Sequence, residues 1–486
     1  MTTAPTAAEA DSTGFSLPQL VANKFRDREF FGHPIGLYVL FLTEMWERFS
    51  YYGMISLLVL YMNEFLLKDP ARAHQIFGYV AFAHVITSVF GKLTAQQMSS
   101  QIFGLYTGFI YVTPIFGGML ADKVWGQHKC IYLGGILMAI GHFMMAFESC
   151  FLFALLFLIL GCGALKPNIS TQVGNLYPEG DERRDRAFTI FYMGINLGAV
   201  LSPLVCWTLG VEFGWGYGFS AAGVGMLLGL VIYYLGSGLV PRHPVKTKAD
   251  MEKELENKDE AKEEKPRKRP LTKQEWWQVW ALVILCITNM AFWAVYMQQS
   301  NTLMLWSAQR TNWHFWIFHI PPGWYASFNP AFIILFAPLL DIFWGWQSGR
   351  GKEPSTVIKM GIGCLLLGSS YFIMMAAAHF VPPHERGSVM WLAATTWVFT
   401  MGELYLSPTG LSLVTKVAPG PLLNTMMGCW FLSYAVGDWL GGDIGMFYNV
   451  MTKQHFFLLL AAIGIITGVI FFLLKRPLSR SIQQDI

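Results

Sequence analysis

The sequence predicts an all-α membrane protein with twelve transmembrane helices in two six-helix bundles. Three observations support this prediction. Of the 486 residues, 54% are hydrophobic and only 13% are charged, whereas a soluble protein of this length would need more charge. The apolar residues form twelve stretches, each long enough to cross a bilayer as a helix. One long polar interruption divides these stretches into six and six.

The twelve predicted spans set the domain boundaries. They lie at 35–64, 99–121, 129–148, 150–174, 187–210, 217–240, 276–303, 326–346, 355–379, 389–416, 422–448 and 454–475. We therefore expect an N-terminal segment at 1–34, bundles at 35–240 and 276–476, a linker at 241–275 and a tail at 477–486. The linker is expected to be solvated, because residues 241–273 carry eleven Lys or Arg and eight Asp or Glu residues.

Positive charge predicts the orientation in the membrane. Lys and Arg residues collect in loops on one side, at 24–28, 123–129, 183–186 and 475–476. The positive-inside rule makes that side cytoplasmic, and both termini are expected there. The first 30 residues lack the apolar region of a cleaved signal peptide.

The segment at 71–98 is an insertion on the predicted outer side. It contains an apolar run that is too short to span comfortably, and counting it as a span would reverse the sidedness of everything after it. We therefore predict an interfacial or re-entrant helix that packs over the outer mouth of the protein.

Several function classes are disfavoured. The net charge of +3 is small and the basic residues are scattered, so no nucleic-acid partner is expected. The seven cysteines are odd in number and contain no CxxC pair, which argues against a disulfide framework or a zinc site. A membrane-embedded enzyme is disfavoured because HExxH and GxSxG motifs and dense His/Asp clusters are absent from the sequence. No metal or other cofactor is expected.

Three charges lie inside the first predicted span. Glu44, Glu47 and Arg48 stand at i, i+3 and i+4, and Tyr51 and Tyr52 continue the same helix face. A charge at bilayer depth costs about 2.5–3.5 kcal/mol on insertion scales, so this face is predicted to look into the protein. One interpretation is an ion pair that only packs the bundle. The other is that the second carboxyl group binds and releases a proton.

Two further charges lie deep in other spans. Glu403 is near the middle of the tenth span, and Lys166 lies in the fourth. Their pairing would join the two bundles across a central cavity and act as a gate. The neighbours Gly161, Gly163 and Pro167 would allow close helix approach and a break in the helix. The alternative is that Lys166 snorkels to the cytoplasmic interface.

Polar and aromatic residues on other spans complete the candidate site. Each alone is typical of helix packing, but together they suit a polar, zwitterionic ligand better than a lipid. They are Tyr111, Asn196, Trp293, Asn329 and Trp430.

Three longer motifs follow one another along the chain. They are "EMWERFSYYGM" in the first span, "GGMLADKVWGQHK" after the second and "FYMGINLGA" in the fifth. With them, nearly the whole chain resembles the proton-coupled oligopeptide transporter (POT) family of the major facilitator superfamily. The resemblance implies a bacterial inner-membrane symporter that imports di- and tripeptides with protons by alternating access. It implies no cofactor, and one chain holds both halves, so a monomer is expected to function.

The resemblance also implies residue roles. Proton coupling would fall to Glu44, Glu47, Arg48 and Glu403. Lys166 and Glu403 would form an inner gate, in which Lys166 alternates between pairing with Glu403 and holding the peptide carboxylate. Peptide binding would fall to Arg48, Tyr51, Tyr52, Tyr111, Lys166, Asn196, Trp293, Asn329, Glu403 and Trp430.

The chain departs from the family pattern at the usual outer gate. Ile55 stands where a basic residue is frequent, and Tyr, Met and Gln at 296–298 stand where a carboxylate is frequent. Losing both partners together avoids an unpaired buried charge and leaves Glu44 and Glu47 as the leading proton sites. The same fold could carry another solute such as nitrate, an amino acid or a drug-like compound. The retained cation and anion, one for each end of a zwitterion, favour peptides.

Overall fold

The computed structural model describes residues 16–26, 28–178, 180–242, 271–315, 318–419 and 422–482. Helices dominate this part of the chain, which confirms the all-α prediction. The N-terminal half contains α1 (Leu17–Phe25), α2 (Ile35–Tyr61), α3 (Pro70–His74), α4 (Tyr79–Phe90), α5 (Ala95–Leu120), α6 (Gln127–Met144), α7 (Phe151–Asn175), α8 (Arg183–Phe213) and α9 (Trp215–Gly236). The C-terminal half contains α10 (Lys273–Tyr296), α11 (Thr302–Arg310), α12 (Phe328–Ser348), α13 (Thr356–Phe380), α14 (Met390–Val417), α15 (Leu423–Gly445) and α16 (Lys453–Ile482).

Twelve of these helices are long, six in each half. Among the described residues, eight helical segments are long and apolar enough to cross a membrane. The other four long helices are α2, α6, α14 and α15. Three of these carry charged residues in their middle, which lowers their apolar character without shortening them.

In the part of the chain that the structure describes, strands occur only as short pairs in the loops. The antiparallel pairs are β1 (Glu29–Phe30) with β2 (His33–Pro34), and β4 (His314–Phe315) with β5 (Phe318–His319). The parallel pair is β3 (Thr311–Asn312) with β6 (Gly387–Ser388), and it joins the loop after α11 to the loop before α14.

Small residues bring the helices of each half into close contact. A Cβ atom on Gly134 of α6 would lie 2.6 Å from the carbonyl oxygen of Gly161 on α7. A Cβ atom on Gly363 of α13 would lie 2.7 Å from the carbonyl oxygen of Gly402 on α14. Glycine permits this backbone approach, which is common between membrane helices. The break that Pro167 would allow is not present, and α7 runs through this residue. Proline removes only one backbone hydrogen bond, and the packed neighbouring helices hold the rest of the helix in place.

The insertion forms its own short helix, α4, as predicted. Its 12 residues are about 18 Å long, too short to span a bilayer. One face, with Tyr79, Phe82 and Ile86, packs against the bundle, whereas Val85 and Val89 on the other side are exposed.

Polar contacts tie the insertion to its own half of the molecule. Arg72 forms an ion pair with Glu148 at 3.2 Å, and the Phe77 N–H donates to the Ser149 carbonyl oxygen at 2.9 Å. Both partners belong to the connection between α6 and α7. Coverage of the outer mouth by this segment stays a prediction.

Several helix ends differ from the predicted spans by four residues or more, and two of them have a clear local cause. Helix α5 begins at Ala95 instead of 99, because Thr94 and Gln97 form a capping box. Helix α10 ends at Tyr296 instead of 303, because the chain turns through a 3-10 helix at Met297–Gln299 before α11. The apolar composition continues through this turn, so hydrophobicity alone could not locate it.

The segments outside the bundles are described only in part. The N-terminal segment forms α1, an unpredicted helix whose buried residues Pro18 and Ala22 pack against Gly238. Most of the 241–275 linker and the last four residues of the 477–486 tail lie outside the described residues.

Candidate functional site

A cavity of about 270 Å³ lies between the two halves. Nine of the ten predicted binding residues line it: Arg48, Tyr51, Tyr52, Tyr111, Lys166, Asn196, Trp293, Asn329 and Glu403. Sixteen further residues line it, and the polar ones among them are Thr107, Tyr192, Tyr296, Gln299, Ser300, Ser407 and Asp438. The wall is therefore polar and aromatic and is built from both halves.

Trp430 is the predicted binding residue that does not line the cavity. Its side chain is fully buried, and its indole N–H donates to the Tyr434 hydroxyl at 3.2 Å. Tyr434 in turn packs against Tyr111 and Trp293, with ring centroids 5.5 Å and 4.5 Å away. Trp430 thus supports the aromatic wall from behind.

The three charges of α2 converge, as their helical spacing predicted. Arg48 donates from Nε to Glu47 Oε2 and from Nη2 to Glu47 Oε1, the latter at 2.7 Å. Glu44 Oε1 lies 3.1 Å from Arg48 Nε, and its other oxygen has no hydrogen-bond partner among the described residues. Glu47 therefore accepts two hydrogen bonds from Arg48, whereas Glu44 forms only an ion pair with it.

Lys166 and Glu403 both lie at the cavity but do not pair with each other. The Lys166 ammonium group lies 4.6 Å from the Tyr111 ring centroid and makes no ion pair in the part of the chain that the structure describes. Glu403 instead accepts a hydrogen bond from Asn329 Nδ2 at 2.8 Å. The side chain of Lys166 thus lines the cavity, contrary to the snorkelling alternative, and the pair predicted as an inner gate is not formed among the described residues.

The opposite end of the cavity is closed. We call it the outer end, because it contains the N-terminus of α5 and the C-terminus of α15, which the positive-inside rule predicts to lie outside. Six hydrogen bonds join the halves among the described residues, and all lie toward this end. They run from Gln96 to the Gly445 carbonyl, Ser100 to Asn301, Gln101 to Asp443, Gln309 to Glu64, Trp324 to Thr208 and Ser327 to the Val200 carbonyl, at 2.7–3.1 Å.

Toward the other end, the site continues into a second cavity of about 630 Å³ between α8, α12 and α14. The two cavities share Tyr192, Asn196, Ile333, Glu403 and Ser407. A central site that is closed on one side and continuous with a space on the other is typical of one state of an alternating-access transporter.

Gly104 provides a test of this closure. A Cβ atom there would lie 2.8 Å from Gly442 Cα, so Gly104→Val should prevent α5 and α15 from meeting. We expect the outer end to stay open and transport to fall at least about tenfold, because packed interfaces have discrete arrangements. Closure can be followed with fluorescent labels on cysteines introduced at Glu64 and Gln309, which pair at 3.0 Å across the halves.

Gly118 is the matched control on the same helix. A Cβ atom at Gly118 meets nothing within 4 Å, so Gly118→Val should leave closure and transport unchanged. Both variants require the partly exposed Cys150 and Cys429 to be replaced by alanine before labelling. Equal label distances in the two valine variants would contradict the assigned closure.

Comparison with known proteins identifies the family. The model of the POT family matches residues 128–257 and 252–466. The chain belongs to the POT family. It is therefore a transporter, not an enzyme.

Relatives along the whole chain agree with this assignment. The "Di-/tripeptide transporter" of Lactococcus lactis subsp. cremoris is 34% identical over 93% of this chain and 97% of its own length. "Peptide transporter YePEPT" of Yersinia enterocolitica is 30% identical over 86% of this chain and 88% of its own.

Solved structures have the same fold. A peptide transporter POT in complex with sulfate superimposes with a TM-score of 0.79 at 30% identity, covering 96% of this chain and 99% of that one. A POT family transporter in complex with 5-aminolevulinic acid gives 0.78 at 30% identity, covering 94% and 100%. A POT family transporter with a thioalcohol-conjugated peptide gives 0.76 at 31% identity, with the same coverage.

Proposed function

We propose that this POT family transporter imports di- and tripeptides together with protons by alternating access. The observation that carries the proposal is the charge pattern of the cavity. Lys166, a cation without an ion pair among the described residues, lies on the N-terminal half, and the carboxyl group of Glu403 lies on the C-terminal half. A zwitterionic peptide would bridge these charges at its two termini.

The two ends of the peptide would be recognised differently. Lys166 would bind the carboxylate, and Glu403, with Asn329 beside it, would bind the amino group. The aromatic wall would accept side chains of varied shape, because the charged ends supply most of the specificity. The names of the relatives support peptides as the cargo. A different small amino acid-like solute is the second candidate, since a family member has been solved with 5-aminolevulinic acid.

Proton coupling would use the charges of α2. Glu47 is engaged at both oxygens by Arg48, whereas one oxygen of Glu44 is unpartnered among the described residues. Glu44 would therefore gain and lose a proton more readily than Glu47. We place the protein in the bacterial inner membrane with both termini cytoplasmic, acting as a monomer and using the proton gradient in place of any cofactor.

Uptake of labelled dialanine into liposomes tests the proposal. With an inward proton gradient and a negative interior, one proton crossing 100 mV supports roughly fifty-fold accumulation. We expect the wild-type protein to accumulate the peptide only with the gradient, and Glu44→Gln and Glu47→Gln to lose this accumulation. Exchange without accumulation in the wild type would refute the coupling. Absence of dialanine and longer-peptide movement in folded protein would refute the cargo.

A further inference from the structure

Asp438 of α15 is a buried acid that none of the roles above uses. Its side chain is 0% exposed, and neither carboxyl oxygen has a hydrogen-bond partner among the described residues. It nevertheless borders the central cavity. Buried polar groups in native proteins nearly always form hydrogen bonds. Burial of this carboxyl group without one therefore costs free energy of folding, most of all when the group is charged.

Only two of the neighbours that the structure describes favour a carboxylate at Asp438, the Thr107 hydroxyl and the Lys166 ammonium group, and both contacts are weak. Thr107 of α5 faces it, but the Thr107 hydroxyl donates to the backbone carbonyls of Phe103 and Gly104 at 2.9 and 3.2 Å. Lys166 acts on it only from a distance, since the two form no ion pair in the described part of the chain. The other titratable groups that border the same cavity on the elements packed against α15 are Tyr111 on α5, Tyr296 on α10 and Glu403 on α14, while Tyr434 and Asp443 lie near Asp438 on α15 itself.

Asp438 also lies on the seam where the outer end closes. A Cβ atom on Gly104 would lie 2.9 Å from the backbone carbonyl oxygen of Asp438. The two helix backbones therefore touch at this residue, one from each half. Opening of the outer end separates α5 from α15 and brings water to the carboxyl group.

We propose that Asp438 binds a proton as the outer end closes and is ionised when that end is open to water. Closure with a charged Asp438 would bury an unpaired carboxylate in the membrane interior, whereas closure with a neutral one would not. The proton taken up from outside thus permits closure. When Asp438 releases this proton through the cavity to the inside, the contact between α5 and α15 is destabilised. The empty transporter then returns to the outward-open state.

This assignment rests on the proposed proton-coupled function and adds a second proton site to the one on α2. It also accounts for the sequence at 296–298, where Tyr, Met and Gln stand in place of an acid. The carboxyl group that meets the N-terminal half at the outer seam comes from α15 instead.

The first test measures closure without any substrate. Labels on cysteines introduced at Glu64 and Gln309 report the distance across the outer end of the purified protein. We expect the closed fraction of the wild type to fall as pH rises between about pH 5 and pH 8, and Asp438→Asn to stay closed throughout, since asparagine mimics the neutral acid. The control Asp443→Asn, whose residue accepts from Gln101 at 2.7 Å, should respond to pH as the wild type does. A pH response in Asp438→Asn equal to that of the wild type would overturn the proposal.

The second test separates coupling from structure. In liposomes, Asp438→Asn should lose at least about tenfold in gradient-driven accumulation but much less in dipeptide exchange, because only the empty return needs the ionised acid. Retained accumulation would overturn the proposal. If the wild type moves no peptide, the proposed function fails, while the closure measurement still decides the role of Asp438.

A conservative variant, Asp438→Glu, tests the proposal if Asp438→Asn does not fold. Asp438→Glu retains a carboxyl group at a displaced position, so closure should still respond to pH but with a shifted midpoint. A midpoint equal to that of the wild type, or the absence of any pH response in this variant, would show that residue 438 is not the proton site.

Discussion

An Arg48→Gln variant is expected to lose about 3–5 kcal/mol of stability and all gradient-driven transport. Arg48 is the shared partner of two acids, Glu44 and Glu47, whose side chains are 3% and 0% exposed. Removing the cation leaves both carboxyl groups buried without compensation, which is the costly way to break a buried ion pair. Unfolding of the purified protein in denaturant, followed by tryptophan fluorescence, measures the loss.

Two comparisons make this result specific. The double variant Arg48→Gln with Glu47→Gln should recover part of the stability but none of the transport, since fewer uncompensated charges remain. Arg72→Gln breaks the exposed pair with Glu148, whose side chains are 32% and 40% exposed, and should cost only about 0–1 kcal/mol. If Arg48→Gln were as stable as Arg72→Gln, the charges of α2 would not form a buried cluster.

Local spacing explains why this cluster could be predicted from sequence. Glu44, Glu47 and Arg48 belong to one helix, so their separation along the chain fixes their shared face before any tertiary structure exists. The number of long helices could be predicted for a similar reason, because a helix needs about 20 apolar residues to cross a bilayer wherever it finally packs. The ends of α5 and α10 were predicted less well. A capping box begins α5 and a 3-10 turn ends α10, and because both depend on single residues, the observed boundaries lie several positions from the predicted ones.

Residues on different helices were harder to place. Lys166 and Glu403 were both expected at the cavity and both line it, but their pairing depends on which end of the transporter is closed. That choice is a global equilibrium and leaves no local pattern in the sequence. Trp430 was expected at the wall and lies behind it, because Tyr434, one turn further along α15, lies between Trp430 and the lining residues Tyr111 and Trp293.

Asp438 is a different kind of omission. The rule that selected Glu403, an acid inside an apolar span, applies equally to Asp438 inside the predicted span 422–448. Sequence alone could have flagged it. What the sequence could not supply is its position at the contact between α5 and α15, which gives the acid its proposed role.

A Lys166→Gln variant is expected to bind dialanine about a hundredfold more weakly than the wild type. Removing one partner of a desolvated, charge-assisted contact typically costs 2–5 kcal/mol or more, and Lys166 is the proposed partner of the peptide carboxylate. Its nearest aromatic contact, the Tyr111 ring, remains in the variant and cannot replace the ammonium group. Displacement of a bound fluorescent dipeptide from the purified protein measures the change in affinity.

The chemistry of the ligand supplies the control that tests Lys166 as a carboxylate site. Dialanine amide lacks the carboxylate, so it should bind the wild type weakly and should not bind Lys166→Gln more weakly still. N-acetyl-dialanine lacks the amino group, so its affinity should depend on Lys166 but not on Glu403, which Asn329 holds at 2.8 Å on the opposite half. The effects of removing a side-chain charge and of removing the peptide terminus that it binds should therefore not add. This non-additivity assigns each charge to one end of the peptide, because only partners in direct contact couple strongly. A hundredfold loss for dialanine amide in Lys166→Gln would instead mean that Lys166 shapes the cavity, and the two ends of the cargo would have to be assigned anew.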